Sequence, residues 1–447
     1  MTRFISLCIL PVIFGVIFYF QFTSFDHVIK NVATKPVAMS EWQTDSGFAE
    51  KIASRRAPRV LSNSPVLTWP AANWTPNYIA TDVPYVLSKK SSKNVFKYFS
   101  TNKPLSAYVE ASHDLVEVIK SGREFVGSVT SNTEKAFYYA SGPVDQLGIW
   151  SDPSDISSLT VHDHDIPNAV ATVHFWIGSK SVIAHMHYDT SHNFHTVVYG
   201  RKKFILMPPS EYSTLRLYPF IHPYYRQSQV NVSGDGANSN MQALTRRQEV
   251  VLYPGDTLYI PPYWFHQVES EEVTISVNIW SPSGEHAAME TTYGSRPPFN
   301  TQWNRHQLLA GAAVYIDTLL AQLETGLAMS PKEFLQSLYG QRYAALFANQ
   351  LCSGGLCPIV PSHSHDSCSA YLQCPVHKLF ENCNPRSLTL HAGNTARIMI
   401  NSHGLDISIL AINVGNFVEN LVCDVLGGDR LHEIPCYYHS CLGVSSS

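Results

Sequence analysis

The hydrophobic positions of this 447-residue chain change period twice, and each change marks a different kind of structure. The first regime is continuous. No charged residue lies between Arg3 and Asp26, and residues 4–25 are long enough to cross a bilayer as a helix, which takes about 20 residues. The exit, Gln21-Phe22-Thr23-Ser24-Phe25, holds no small-x-small cleavage site, so the run reads as an uncleaved signal-anchor. The second regime consists of short β-branched and aromatic runs separated by Gly, Pro and Asn. It predicts strands over Val170–Ile177, His195–Tyr199, Lys203–Met207, Val250–Tyr253, Thr257–Ile260 and Thr274–Trp280, with turns at Gly200 and Pro254-Gly255-Asp256.

After Pro298 the period lengthens. Leu308, Leu309, Ala312, Ala313, Ile316, Leu319, Leu320 and Leu323 recur every three to four residues and predict a helix of about 20 residues. A second helix is expected from Ser330 as N-cap, with Pro331 and Glu333 completing a capping box. A shorter one is expected over Asp114–Ser121, from the spacing of Leu115, Val116, Val118 and Ile119. The chain therefore divides into a transmembrane segment (1–25), a polar stem (26–57), a mainly β domain (58–283), a helical extension (284–350) and a cysteine-rich tail (351–447). The C-terminal helices are a candidate homodimer surface.

Composition sharpens this picture in two places. With 45% hydrophobic and 15% charged residues most of the chain should fold, and a formal charge of −4 supplies no basic field for DNA or RNA. Apart from Cys8, all the cysteines fall between Cys352 and Cys441. Behind a membrane-targeting segment such a cluster reads as a disulfide framework in an oxidising compartment. A zinc site using His363, His365 and Asp366 competes with that reading, though no C-x2-C pair supports it. Two sequons, Asn73-Trp74-Thr75 and Asn231-Val232-Ser233, agree with a lumenal body. The expectation is a single-pass type II membrane protein of the secretory pathway, in the ER or Golgi, with its main domain in the lumen.

Candidate chemistry lies in His185-Met186-His187-Tyr188-Asp189 and in His266, 77 positions beyond Asp189. Residues two apart on a strand face the same side, so His187 and Asp189 can share an ion and a distant strand can add His266. Two neutral imidazoles and one carboxylate on one face of an octahedral ion form the triad of non-heme iron(II) oxygenases. The opposite face stays open for a bidentate cosubstrate and O2. An H-x-D triplet by itself is common in solvated turns, so the surrounding residues have to decide.

They do. The stretch "HYDTSHNFHTVVYGRKKFILMPP" (187–209), Gly255–His266, Val277-Asn278-Ile279-Trp280 and "WPAANWTPNYIA" (69–80) together resemble the JmjC/cupin-like Fe(II)/2-oxoglutarate-dependent oxygenases. The pattern is similar to that of the asparaginyl hydroxylase acting on hypoxia-inducible factor, and it covers roughly residues 58–283. The resemblance implies a double-stranded β-helix of jelly-roll or cupin type that binds Fe(II) and 2-oxoglutarate, with His187, Asp189 and His266 as both iron ligands and catalytic residues. It implies that Lys202 pairs with the distal carboxylate of 2-oxoglutarate, Lys203 being the alternative if the register slips by one. Tyr138 matches a position that hydrogen-bonds the same carboxylate, and Asn193 and Asn278 match polar positions near the iron and cosubstrate. Ala184 departs from the pattern, which has a hydroxyl there. His195 stands where the pattern has an aromatic residue and reads as a space-filler, or else as a polar cosubstrate contact. His185 reads as a flank. The expected activity is hydroxylation of a protein or peptide side chain, with residues 210–240 as the substrate wall. A non-catalytic metal- or glycan-binding cupin and a lysine demethylase are the competing readings.

Overall fold

A computed structural model describes residues 35–45, 47–109, 115–131, 136–148, 156–162, 166, 169–232, 246–344, 346, 386–403 and 406–444. In chain order its strands are β1 (Lys35–Pro36), β2 (Ala38–Glu41), β3 (Arg59–Ser62), β4 (Val86–Ser91), β5 (Val95–Phe96), β6 (Val116–Lys120) and β7 (Phe137–Pro143). They continue with β8 (Thr172–Gly178), β9 (Ile183–Tyr188), β10 (His192–Tyr199), β11 (Lys202–Met207), β12 (Gln248–Leu252), β13 (Thr257–Ile260), β14 (Phe265–Ser270) and β15 (Thr274–Ser281). One sheet has the order β1-β12-β11-β14-β9-β5 and the other β2-β3-β13-β10-β15-β8-β7-β4-β6. Four strands of each, β12-β11-β14-β9 and β13-β10-β15-β8, pair antiparallel throughout. This is the mainly β jelly-roll of a cupin, as the family resemblance implies.

The alternation along β11 shows how the sheets are filled. Phe204 and Leu206 join Val197, Leu252, Leu258 and Ile260 in a cluster drawn from both sheets. Ile205 and Met207 point the other way and pack with Met186, Tyr188 and Phe265. A shift of one residue would exchange the two sets. Gly200 fixes the register: its φ is +75°, and a Cβ there would lie 2.1 Å from the Val273 carbonyl oxygen. Only glycine closes that turn.

Helices cover both outer faces. From α1 (Phe48–Ala53), α2 (Pro76–Asp82) and α3 (Gly122–Thr130), the side chains of Phe48, Ile52, Ile79 and Phe125 share a core with Ile275, Val277 and Ile279 of β15. Beyond α4 (Gly284–Gly294) a helical unit follows: α5 (Arg305–Leu327), α6 (Pro331–Arg342), α7 (Arg386–His403), α8 (Ile407–Leu426) and α9 (Ile434–Ser440). Ile409 and Ile412 of α8 complete the cluster under the six-stranded sheet. The remaining apolar face of α8 packs with Leu319, Leu323 and Met399. Both expected extension helices form, α5 with a capping box at Asn304 and Gln307 and α6 with the one at Ser330 and Glu333.

Three expectations need correction. Of the span 114–121 expected as a helix, Val116–Lys120 is strand β6, paired with β4 at a sheet edge. Its β-branched residues favour an extended chain, and so few residues cannot distinguish the two periods. The stem expected over 26–57 is part of the domain wherever it is described: β1 and β2 extend the two sheets, and Phe48 and Ile52 are buried. The disulfide framework of all eight late cysteines does not hold, because Cys423 is free and buried on α8. Burial pushes its thiol up to about 12. Cys436 and Cys441 are disulfide-bonded, while the cysteines from 352 to 383, the rival zinc residues and the segment 4–25 lie outside the described residues. Among the described helices α8 alone is long and apolar enough to cross a membrane, and 89% of its apolar window is buried inside the protein.

Candidate metal centre

His187 on β9 and His266 on β14 are register partners across neighbouring strands, which puts their side chains on the same inner face. The two rings lie 4.2 Å apart at their centroids. Each ring is held through its Nδ1: that of His187 lies 2.6 Å from the His185 carbonyl oxygen, and that of His266 lies 3.0 Å from that of Trp264. A carbonyl can only accept, so each Nδ1 carries the proton and each Nε2 offers a lone pair. Asp189 follows β9 directly. Its backbone carbonyl accepts from the Tyr263 N–H at 2.7 Å, and Tyr263 takes a left-handed φ of +65° to make that turn. The Asp189 Oδ2 lies 3.6 Å from His266 Nε2. One donor atom from each of the three residues lies within 4.8 Å of the other two.

Electrostatics favour a cation there. Burial alone would raise the Asp189 pKa, but the fields of His266, His187 and Arg226 outweigh it and hold the carboxyl below its usual range. Burial, reinforced by His187, lowers His266 to about 4. Near neutral pH the set is thus a carboxylate with an uncharged imidazole, ready to ligate.

The triad lies in a cavity of about 530 Å³ walled by both sheets. Lys202 of β11 faces into it at 3% exposure, its Nζ donating to Ser276 Oγ at 2.6 Å. Lys203 turns outward to Glu249, 2.8 Å away. His195 lines the same wall, and its buried Nε2 has no hydrogen-bond partner. Asn193 also lines the wall; its Nδ2 lies 3.5 Å from Asp189 Oδ2, and its Oδ1 accepts from Asn278 Nδ2 at 3.0 Å. Asn278 stands one layer behind, accepting from Trp176 Nε1 at 2.6 Å. This chain of donors fixes which way both amides point. Ala184 is on the wall. The Nε2 of His185 lies 2.8 Å from the Ser228 carbonyl, so this ring is committed away from the triad.

Tyr138 is not at the site. It is 1% exposed in the core behind the nine-stranded sheet, and its neighbour Tyr139 lines the cavity instead. Adjacent strand residues face opposite sides, so the expectation was out by one position. Sequence reasoning also missed Lys89, Lys97, Trp176 and Arg226, all of which line the cavity. They come from separate elements, and no local pattern marks them.

The donor set and the wall fit the groups that the sequence pattern implies. Two imidazoles and a carboxylate suit iron(II). Lys202 is a buried ammonium with no carboxylate within ion-pair distance among the described residues, as a site for a carboxylate-bearing cosubstrate requires.

Comparison with known proteins agrees with this geometry. A family model described as a cupin-like domain matches residues 27–283. The lysine-specific demethylase JMJ31 of Arabidopsis thaliana is 38% identical over 133 residues, which is 28% of this chain and 23% of that protein. Jumonji C domain-containing protein 5 of Drosophila melanogaster is 33% identical over 123 residues, 27% of this chain and 30% of that protein. HSPB1-associated protein 1 of Bos taurus is 28% identical over 246 residues, 52% of this chain and 49% of that protein. The matches thus span from about a quarter to half the length of these relatives. The family match covers more than half of the chain, and the chain belongs to the cupin-like JmjC family.

Proposed function

We propose that this protein is an Fe(II)- and 2-oxoglutarate-dependent oxygenase that hydroxylates a protein or peptide side chain. One observation carries the reading: a single cavity holds both the His187–Asp189–His266 cluster and a buried, carboxylate-free Lys202. His187, Asp189 and His266 would hold the iron, and Lys202 with the Ser276 hydroxyl would hold the distal carboxylate of 2-oxoglutarate. When bound, iron and 2-oxoglutarate supply an oxidant from O2 that puts oxygen into a C–H bond as 2-oxoglutarate becomes succinate and CO2. The chain's own part is to orient and to exclude water. The carbonyls of His185 and Trp264 aim the two imidazoles, Asn193 steadies Asp189, and the two sheets wall the inner part of the cavity.

Tyr225, Arg226 and Gln227, from the segment expected as substrate wall, line the cavity. Lysine demethylation, suggested by the name of the plant relative, would bring a cationic side chain against Lys89, Lys97 and Arg226. Like charges oppose that. A type II topology in the secretory pathway accompanies the proposal, and the sequon residues Asn73 and Asn231 are both exposed. Protease protection in intact microsomes tests the topology.

The activity test is direct. The purified protein given iron(II) and 2-oxoglutarate should form succinate, and candidate partner peptides should gain the mass of one oxygen atom. Absence of succinate with correctly folded, metal-loaded protein would leave the non-catalytic cupin as the better reading.

A further inference from the structure

We propose that the substrate is an acidic peptide, with an aspartate or glutamate carboxylate beside the residue that reacts; this rests on the oxygenase reading and specifies its substrate. The argument begins with the charge of the loaded site. Iron(II) carries two positive charges, 2-oxoglutarate two negative, Lys202 one positive and Asp189 one negative, so the inner part of the cavity is neutral when filled. The remaining charged side chains on the wall are Lys89, Lys97 and Arg226, all cationic, in a chain whose formal charge is −4. A wall with an excess of three cations and no spare carboxylate attracts an anion and repels a lysine or arginine side chain.

These cations are not committed elsewhere. Among the described residues no carboxylate lies within ion-pair distance of any of them. Lys97 reaches only the Tyr218 hydroxyl, at 3.5 Å, and lies over the Tyr218 and Tyr224 rings. Arg226 donates to the Tyr225 hydroxyl at 2.7 Å. Other cations withdrawn from solvent do have glutamate partners, as in Lys203 with Glu249, Arg305 with Glu433 and Arg342 with Glu419.

Arg226 is also held where a ligand would need it. Its φ is +65°, a conformation unusual for a residue with a side chain. Hydrogen bonds to the ligand strand β9 impose it: the Tyr188 N–H donates to the Arg226 carbonyl at 3.1 Å, and the Ser228 N–H to the Met186 carbonyl at 2.9 Å. Gln227 Nε2 ties the loop to the Tyr98 carbonyl at 2.6 Å. The guanidinium stays charged at any physiological pH, next to the metal ligands. Tyr98, 58% exposed, is on the same wall, so the lining runs from the triad to the surface. An extended peptide can follow that path while its acidic side chains meet the cations, whereas a small diacid would reach only part of it.

The test uses the full-length protein in detergent, loaded with manganese(II) and 2-oxoglutarate so that binding is read without turnover. Three dye-labelled peptide pools of equal length, differing only in Glu/Asp, Gln/Asn or Lys around a varied centre, are compared by fluorescence anisotropy. The acidic pool should bind on the order of tenfold more tightly than the amide pool, and the gap should narrow as salt rises from about 50 to 300 mM. Lys97→Gln and Arg226→Asn, the latter tolerant of a left-handed backbone, should each shrink the ratio between the two pools. If Arg226→Asn fails to fold, Lys97→Gln alone carries the comparison. Equal binding of the three pools, tighter binding of the Lys pool, or displacement of the acidic pool by an RNA oligonucleotide but not by unlabelled acidic peptide would overturn the inference. Succinate formed by the iron-loaded protein without peptide reports the oxygenase reading separately, so failure of one is not failure of the other.

Discussion

Replacing Lys202 by methionine removes a charge and keeps most of the side-chain volume, and two consequences of opposite sign should follow. Burial lowers the Lys202 pKa from 10.5 to about 7. At about 1.4 kcal/mol per tenfold step the charged form costs the empty protein roughly 5 kcal/mol, an upper figure. Against this, the buried Ser276 hydroxyl loses its partner, costing about 1–2 kcal/mol. The Lys202→Met protein without cosubstrate should therefore be roughly 3 kcal/mol more stable than the parent at pH 6. The unfolded chain binds more protons than the folded one between pH 7 and 10.5, so the parent gains stability as pH rises through that window. The advantage of the variant is full below pH 7 and should have largely gone by about pH 10. With 2-oxoglutarate that advantage should shrink by up to about 1.5–3 kcal/mol, because a charge-assisted pairing is lost and apparent affinity falls on the order of ten- to a hundredfold. Urea unfolding at two pH values, with and without 2-oxoglutarate, reads all of this. Lys203→Met is the control, and its half-exposed pair with Glu249 should be worth under about 1 kcal/mol. A Lys202→Met protein less stable than the parent at pH 6 would mean that the ammonium has a partner the geometry does not show. An unchanged 2-oxoglutarate affinity would remove Lys202 from the cosubstrate site.

Asp189→Ala should abolish iron binding, measured by calorimetry, and succinate formation, while leaving the unfolding midpoint little changed; wild-type turnover would exclude the triad. Tyr138→Ala should cost about 3–5 kcal/mol of stability because it empties a core site. Tyr139→Phe should instead shift the KM for 2-oxoglutarate or peptide at near-parental stability, and the reverse pattern would restore the register expected from sequence. Arg342→Met should destabilise by about 3–5 kcal/mol in urea, because Glu419, 3.1 Å away and fully buried, loses its counter-ion. A loss below about 1 kcal/mol would show that water reaches the pair.

How much of this was legible depends on how local each signal is. The triad could be read because H-x-D puts two ligands on one short segment, and the text around His266 identifies the third. Strands β9 and β14, which carry two of those ligands, are inferred from the ligand spacing and not from hydrophobic alternation. His185 and His187 in β9, and His266, Gln267 and Glu269 in β14, are polar, so they break the apolar run that marks a strand. Tyr138 and Tyr139 are adjacent aromatics on a strand buried from both sides, and nothing in two such residues says which face is which. Arg226 and Lys97 become neighbours of the triad only through the tertiary path of their loops. The stem was misread because its charged residues are exposed while Phe48, Ala49, Ile52 and Ala53 anchor it, a spacing too short to register as a period.

Helix α8 carries the least expected part of the architecture. By composition it resembles a membrane span, yet Asn413, Asn416 and Glu419 are buried on it. Buried polar groups persist where they are hydrogen-bonded, and these bonds lead to the site. Asn413 Nδ2 donates to the Tyr263 hydroxyl at 2.9 Å, Asn416 Nδ2 to the Tyr188 hydroxyl at 3.4 Å, and Glu419 Oε2 accepts from the Phe220 N–H at 2.5 Å. Tyr188 immediately precedes the ligand Asp189, and the Tyr263 N–H holds the Asp189 carbonyl. Phe220 opens the segment that leads to Arg226 and Gln227, and Gln229 just beyond them donates to the Arg342 carbonyl at 2.9 Å. The C-terminal helices therefore buttress the ligand strand and the cationic wall together. A chain ending at residue 283 would keep His187, Asp189 and His266, but it would expose Met186, Tyr188, Met207 and Phe265 and take Asn413 and Asn416 from the Tyr263 and Tyr188 hydroxyls. In this protein the unit that builds the candidate metal centre extends to α8, well beyond the jelly-roll that contains His187, Asp189 and His266.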